Sequence, residues 1–527
     1  MKVAKRFAVF LLVCGMLCMF AVIGCGKDAG DGGGSSLENK VAEQSIVQTT
    51  GGQIGGYAED DIYIYKGIPY VAAPVGELRW QDPRPVEPWE GVKACVEYGP
   101  DFYQALRAGG AAVSEGEGLT MNIWAPADFS NAKEVLVFMH GGALMAGSGS
   151  SPTYDGTQIA KEGVVYVTFN YRLGNFSKFA SSELSELSDC GASGNYHIKD
   201  CVAALEWIND NIANFGGDPD RITIMGQSAG AELCSLLCLS PKAKGLFSQA
   251  VILSGNLMAK NDFATLEEME ELGDELLAGR SIEDMRALSS RQVYLEDFTQ
   301  LDFYCIDGVY ITDNGAEMIQ KGNWNGVNVM TGYTTGDISL IGGMIPTTAE
   351  SYEQIVAETY NADILALYPS DGITDYTAAY LEIYRDAQIA KLNYITQLLK
   401  DGGYENEIYL WSFSHIAPDV DRPEYGAPHG SDIPYFLNSL TQDDKADWTD
   451  ADNKVLSMLH GYLMNFVKTG TPDGMDMNGS SLVGWEACDA QNRYMHLSEV
   501  AEPVEMQPEK AAWWAAYYAD RDNVVFG

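Results

Sequence analysis

The chain has 527 residues, 46% of them hydrophobic, and its 74 acidic and 33 basic side chains leave a formal net charge of −41. A surface this acidic repels nucleic acid and anionic headgroups, which removes both as expected partners. The length and apolar content suffice for one large α/β domain with a sizeable core.

Lys2, Lys5 and Arg6 open the chain, followed by the apolar run from Phe7 to Ile23 and then Val22-Ile23-Gly24-Cys25. The run is short and ends at a small residue, the pattern of a cleaved signal rather than a membrane span. The tetrapeptide resembles a bacterial lipobox. Residues 1–24 are therefore expected to be a lipoprotein signal peptide and Cys25 the lipidated first residue of the mature chain. Residues 25–44 are expected to form a flexible tether, since 26–36 consist largely of Gly, Asp and Ser. The folded domain should then occupy 45–527. This places the protein outside the cytoplasm of a bacterium, on the cell membrane through its lipid alone, because no later segment is long and apolar enough to span. Losing residues 1–24, with three basic and no acidic side chains, takes the net charge from −41 to −44.

Glu134–Met139 predicts a buried strand, and His140-Gly141-Gly142-Ala143-Leu144 follows it. A Gly-rich loop after a strand lets backbone N–H groups approach a developing oxyanion closely. A strand over 163–169 and a helix over 199–214 come next. Arg221–Met225 alternates and is rich in β-branched residues, which predicts a strand, and Ala229–Leu239 predicts a buried helix. Between them lies Gly226-Gln227-Ser228-Ala229-Gly230. A Ser on so tight a strand-to-helix turn projects its hydroxyl from the backbone, at a helix N-terminus whose free N–H groups favour an oxyanion. A His-Gly-Gly loop is the usual companion of this turn.

Such a serine needs a base, and an acid to orient the base, in the chain order Ser, acid, His. Val327–Thr331 predicts a strand, with Gly332–Asp337 as the loop leaving it, which makes Asp337 the candidate acid; Asp307 and Asp313 are its competitors. The six histidines are His140, His197, His415, His429, His460 and His496. His429 stands in Ala427-Pro428-His429-Gly430-Ser431-Asp432, a loop beyond the predicted strand Glu407–Phe413, where an α/β fold carries catalytic side chains. His140 belongs to the Gly-rich loop and His460 to an amphipathic helix predicted over 450–468. His415 and His496 follow strand-like runs. Asp432 is expected to serve as a structural hydrogen-bond partner near the His429 loop. Beyond Cys25, seven cysteines remain, an odd number, so at least one is unpaired; Cys190 and Cys201 are a candidate pair. No spacing suggests a metal site.

Several further stretches carry a family resemblance. Lys66-Gly67-Ile68-Pro69-Tyr70 through Gly76-Glu77-Leu78-Arg79-Trp80, Leu119–Pro126, Asn170–Gly174, Asn214–Pro219 and Asn465–Pro472 stand in order along the chain. Together with the serine motif they resemble the type B carboxylesterase family, which includes the cholinesterases, from about residue 45 to 520. The resemblance implies an α/β-hydrolase fold, with a large, mostly parallel central sheet flanked by helices. It also implies a serine esterase that acts on carboxylic esters through an acyl-enzyme and needs no cofactor. Ser228 would be the nucleophile, Asp337 the acid (many relatives have Glu) and His429 the base. Gly142, Ala143 and Ala229 would donate the oxyanion hydrogen bonds. The family's N-terminal disulfide is absent, Phe102 and Gly118 standing in its two places. The loop it would close, 103–117, is short and lacks the Trp with which cholinesterases hold choline. That argues against choline esters and for a wider, shallower gorge. A lipase, a hydrolase of phenolic (feruloyl-type) esters, and a non-catalytic binding module of the same fold are the alternatives.

Overall fold

The computed structural model describes residues 40–105, 112–337, 345–418, 420–440, 447–488 and 493–520. The signal peptide, Cys25 and the tether up to residue 39 lie outside these. Residues 40–44, expected to end the tether, are already fastened down: Ala42 N–H donates to Gly56 O at 2.9 Å and Lys40 pairs with Glu97 at 2.8 Å. The described chain forms two compact units. One runs to Val251 and adds Asp262–Val327; the other takes Ile252–Asn261 and the chain from Asn328 onward.

The first unit contains β1 (Tyr57–Glu59), β2 (Ile62–Pro69), β3 (Thr120–Pro126), β4 (Lys133–Met139), β5 (Val165–Phe169) and β6 (Gly217–Gln227), in the spatial order β1-β2-β3-β5-β4-β6. The pairs from β1 to β5 are antiparallel, and β4 lies parallel to both β5 and β6. Val135–Met139 and the whole of β5 are buried, which suits continuous Val, Leu and Phe runs covered on both faces. The chain leaves β4 to one side for β5 and returns by helix α1 (Tyr196–Asn211) to β6 on the other side. The carboxyl end of β4 is therefore a topological switch point, where open α/β sheets place their sites. Register brings the strand ends level there, with Gly226 opposite Met139. Helix α1 begins at Tyr196, three residues before its expected start, and its N-cap Asn195 takes a left-handed conformation (φ 51°).

Helix α2 (Ala229–Leu237) follows β6 directly. Cys190 and Cys201, the candidate pair, are both free thiols, as are the other five described cysteines. Where relatives have a disulfide, a Cβ on Gly118 would lie 2.6 Å from the Phe102 Cα, so the two segments meet backbone to backbone. Asp101–Phe102 pairs with Val113–Ser114 as a short parallel ladder. Arg79 then clamps the segment through two bonds of 2.6 Å to the buried Glu115, and its remaining nitrogen donates to the carbonyls of Met285, Arg286 and Leu288. Bidentate geometry and satisfied donors are what let such a buried pair persist.

The second unit holds β7 (Asn328–Thr334), β8 (Ile408–Phe413), β9 (Arg493–Leu497) and β10 (Ala501–Glu505) in that spatial order, parallel except for the last pair. Its helices are α3 (Tyr376–Asp401), α4 (Asp450–Thr469) and α5 (Pro508–Ala519). A Thr449–Asp452 capping box starts α4, and Gly470 in the left-handed region (φ 81°) stops it. Among the described residues no helix is long and apolar enough to cross a membrane.

Candidate active site

Ser228 closes β6 with φ 56° and ψ −124°, a conformation sterically unfavourable for a residue with a Cβ. Strain of this kind costs roughly 1–3 kcal/mol and survives only where surrounding packing imposes it. The imposing contacts are visible. A Cβ on Gly226 would stand 2.2 Å from Gly230 O, and one on Gly230 would stand 2.1 Å from Met139 O. Only glycine fits at either end of the pentapeptide, because α2 starts hard against the end of β4. Ala229, the first residue of α2, is buried, and its N–H belongs to the unsatisfied first turn of the helix.

The loop after β4 turns beside this serine. A Cβ on Gly141 would lie 3.0 Å from Ser228 Cβ, and one on Gly142 (φ 118°) would strike Ala146 O. Gly142 O accepts from the N–H groups of Met145 and Ala146, and Ala143 and Leu144 both have positive φ. This curl leaves Gly142 and Ala143 exposed on the loop. Below them, the His140 ring stacks on Tyr171 at 4.3 Å while the Tyr171 hydroxyl donates to His140 O at 2.6 Å. His140 is thus a buttress of the loop.

In the second unit β7 runs on through Gly332, Tyr333 and Thr334, residues expected in the loop. The ladder continues because Trp411 of β8 packs on Gly332, where a Cβ would lie 2.3 Å from the indole. Beyond Thr334 the two strand exits stay joined: Thr335 N–H donates to Phe413 O, Gly336 N–H to Ala427 O at 2.7 Å, and Ala427 N–H to the Thr335 hydroxyl. Arg385 of α3 donates to the carbonyls of Thr335 and Tyr425 and ties both loops down. The result sets His429 Nδ1 at 2.7 Å from Asp337 Oδ1, which also accepts from the Thr334 hydroxyl at 2.7 Å. The His429 side chain is 16% exposed and that of Asp337 5%.

The other histidines are committed elsewhere. His415 Nε2 meets Asp452, His460 Nδ1 meets Phe436 O, and His496, inside β9, bridges Ser412 and Ser414. His197 is buried in α1, and desolvation holds its pKa down to about 3. Asp307 is a turn residue, accepting from the N–H groups of Val309, Tyr310 and Ile311, and Asp313 pairs with Lys321. Among the described residues no group of three or more His, Cys, Asp or Glu could hold a metal ion.

Asp432 departs from expectation. It is fully buried, and neither carboxyl oxygen meets a donor at hydrogen-bond geometry, so it is not the structural partner expected. Burial first, and then the charge of Asp337, push its pKa up to about 7, partly offset by nearby backbone amides and His429. A group protonated in the folded state and ionised in the unfolded state costs stability as pH rises from the ordinary Asp range to about 7. The melting temperature of Asp432→Asn, relative to the parent, is therefore expected to climb between pH 4 and pH 7 and level off above. A difference constant across that range in calorimetry would refute the protonated form.

A parallel α/β core, a strained serine between strand and helix, and glycine loops at a switch point are the marks of the α/β-hydrolase fold. The chain belongs to the carboxylesterase family, whose model matches residues 43–514, and it is a carboxylic-ester hydrolase. It is 32% identical over 454 residues to a fumonisin B1 esterase of Sphingopyxis macrogoltabida, covering 81% of this chain and 82% of that one. With a para-nitrobenzyl esterase of Bacillus subtilis (strain 168) it shares 29% identity over 496 residues, 88% and 96% of the two chains. The solved carboxylesterase EST55 of Geobacillus stearothermophilus superposes with a TM-score of 0.75 at 28% identity, covering 89% of this chain and all of that one.

Proposed function

We propose that Ser228 is the nucleophile of a serine carboxylesterase for small neutral esters, short-chain or aryl. The strained Ser228 backbone, at φ 56° between strand and helix with the Gly141 loop against its Cβ, carries this reading. Ser228 Oγ attacks the ester carbonyl as His429 takes its proton, and Gly142, Ala143 and Ala229 N–H groups bind the oxyanion. His429 then protonates the leaving alcohol and later activates the water that frees the acid, while Asp337 holds the imidazole in one tautomer. The aryl preference is supported by relatives named para-nitrobenzyl esterase and phenmedipham hydrolase. The missing Trp removes a cation–π contact worth about 2 kcal/mol when desolvated. Long-range attraction by the acidic surface acts on encounter and is screened beyond about 8 Å at physiological salt. Butyrylcholine is thus expected to be hydrolysed no better than a neutral butyrate ester. Acyl chains of roughly two to six carbons should outperform longer ones, because the sequence marks no hydrophobic lid for micellar lipid. A panel of p-nitrophenyl esters, butyrylcholine, feruloyl esters and triglycerides decides. Preference for choline at high salt, or for long-chain triglyceride, would overturn the assignment.

The same reading holds Cys25 to be the lipidated residue, with the domain tethered outside the cytoplasmic membrane. Multiple acyl chains on one residue anchor stably where a single chain does not. Wild-type protein should fractionate with membranes and Cys25→Ala should persist as a longer, unlipidated precursor. Soluble, unlipidated wild-type protein in its native host would remove the anchor.

A further inference from the structure

Of the seven described free thiols, six are buried, and burial pushes the pKa of Cys95, Cys201, Cys234, Cys238 and Cys305 up, into the inert protonated form. Cys190 alone among them is partly exposed. It sits in the turn between the helix Ser182–Leu187 and α1, where Gly191 (φ 71°) and Gly194 (φ 75°) reverse the chain. Its sulfur is not solitary. Lys199 Nζ lies 3.7 Å away, Ser188 Oγ 3.2 Å, Ala192 O 3.8 Å and Asp82 Oδ1 3.9 Å. The Lys199 side chain is completely buried, and its nitrogen is pinned by bonds of 2.7 Å to both Asp82 and Ala192 O. A reachable thiol therefore faces an amine that cannot swing away. Asp82, beside both, is an adjacent proton acceptor.

We propose that Cys190 and Lys199 form a peroxide-responsive, reversible sulfur–nitrogen cross-link. The Cys190 thiolate attacks one oxygen of a hydroperoxide, the O–O bond breaks, and a sulfenic acid forms with release of water or alcohol. The sulfenyl sulfur is then the electrophile. Lys199 gives up a proton through Asp82 to solvent, Nζ attacks the sulfur, the S–N bond forms and the S–O bond breaks with loss of water. The balance with hydrogen peroxide is one thiol, one ammonium and one peroxide giving one sulfenamide, two waters and one proton. Two equivalents of external thiol restore both side chains and leave as a disulfide. Capture by the amine halts the sulfur before the irreversible sulfinic stage, the same protection a backbone nitrogen gives in known sulfenamides. The pinned nitrogen matters here, because capture must outrun a second peroxide.

The test is peptide mass after exposing the whole protein to stoichiometric hydrogen peroxide, alkylating, and digesting with trypsin without reductant. The cross-link predicts a peptide spanning Lys199 uncut, about 2 Da below its reduced mass, and restored by dithiothreitol. Cleavage after Lys199 with Cys190 joined to Cys201 would mean an ordinary disulfide and overturn the proposal. So would Cys190 carried straight to the sulfinic acid, about 32 Da heavier, with Lys199 cut normally. In Lys199→Arg the sulfur should run on to the sulfinic acid, and in Cys190→Ser no change at this site should be seen. The wild-type mass decides even if a variant fails to fold.

Discussion

Asp337→Asn is expected to lower kcat by about 10³–10⁴-fold with little change in KM, as when a triad carboxylate elsewhere is made an amide. Asp337 Oδ1 now accepts from two donors, the Thr334 hydroxyl and His429 Nδ1, each at 2.7 Å. An amide at this position is neutral. It can offer its oxygen to only one orientation of the ring, or turn its NH₂ toward Nδ1 and favour the tautomer whose Nε2 carries the proton. In that tautomer the ring cannot act as a base toward a serine. Both loops remain tied by Gly336 to Ala427 and by Arg385, so the fold should hold and the deficit should be chemical. Steady-state kinetics with p-nitrophenyl butyrate reads it. A loss below about tenfold, with a large loss instead at Asp307 or Asp313, would move the acid elsewhere.

Ser228→Ala and His429→Ala are each expected to cost about 10⁴–10⁶-fold in kcat. Alanine keeps the Cβ of serine, so the backbone at φ 56° is equally strained in the variant and stability should barely change. What is lost is the attacking oxygen. His429 is part-exposed at the end of a loop whose own hydrogen bonds run through the backbone of neighbouring residues, so truncating its ring should also leave the fold intact. Unchanged melting temperatures beside collapsed turnover would separate chemistry from folding.

The strands that lead to the serine were legible because their patterns are strong: unbroken Val-Leu-Phe in β4 and alternation in β6. The serine turn was legible for a steric reason. Gly226 and Gly230 are glycines because Gly230 O and Met139 O occupy the space a side chain would need. The exit of β7 was less so. Gly332 reads locally as a loop former, and only the Trp411 indole against it explains why the strand continues. Asp432 was expected to be a structural hydrogen-bond partner of the His429 loop, since proximity of a second carboxylate in space leaves no mark on local sequence. The loop closure at Phe102 and Gly118 was visible as a missing disulfide, but its replacement by Arg79 and Glu115 depends on carbonyls about two hundred residues away. Cys190 and Lys199 are nine residues apart, too far for helix spacing to suggest that they meet.

The central claim is that Ser228 and His429 act as one unit, and the double variant Ser228→Ala/His429→Ala measures it most directly. If the imidazole's task is to take the serine proton, removing it from an enzyme already lacking that serine should cost almost nothing. The double variant should then hydrolyse p-nitrophenyl butyrate within about threefold of either single variant, well short of the product of their effects. Losses that multiply, or a single variant retaining near-parental turnover, would show that the two residues do not share one chemical step.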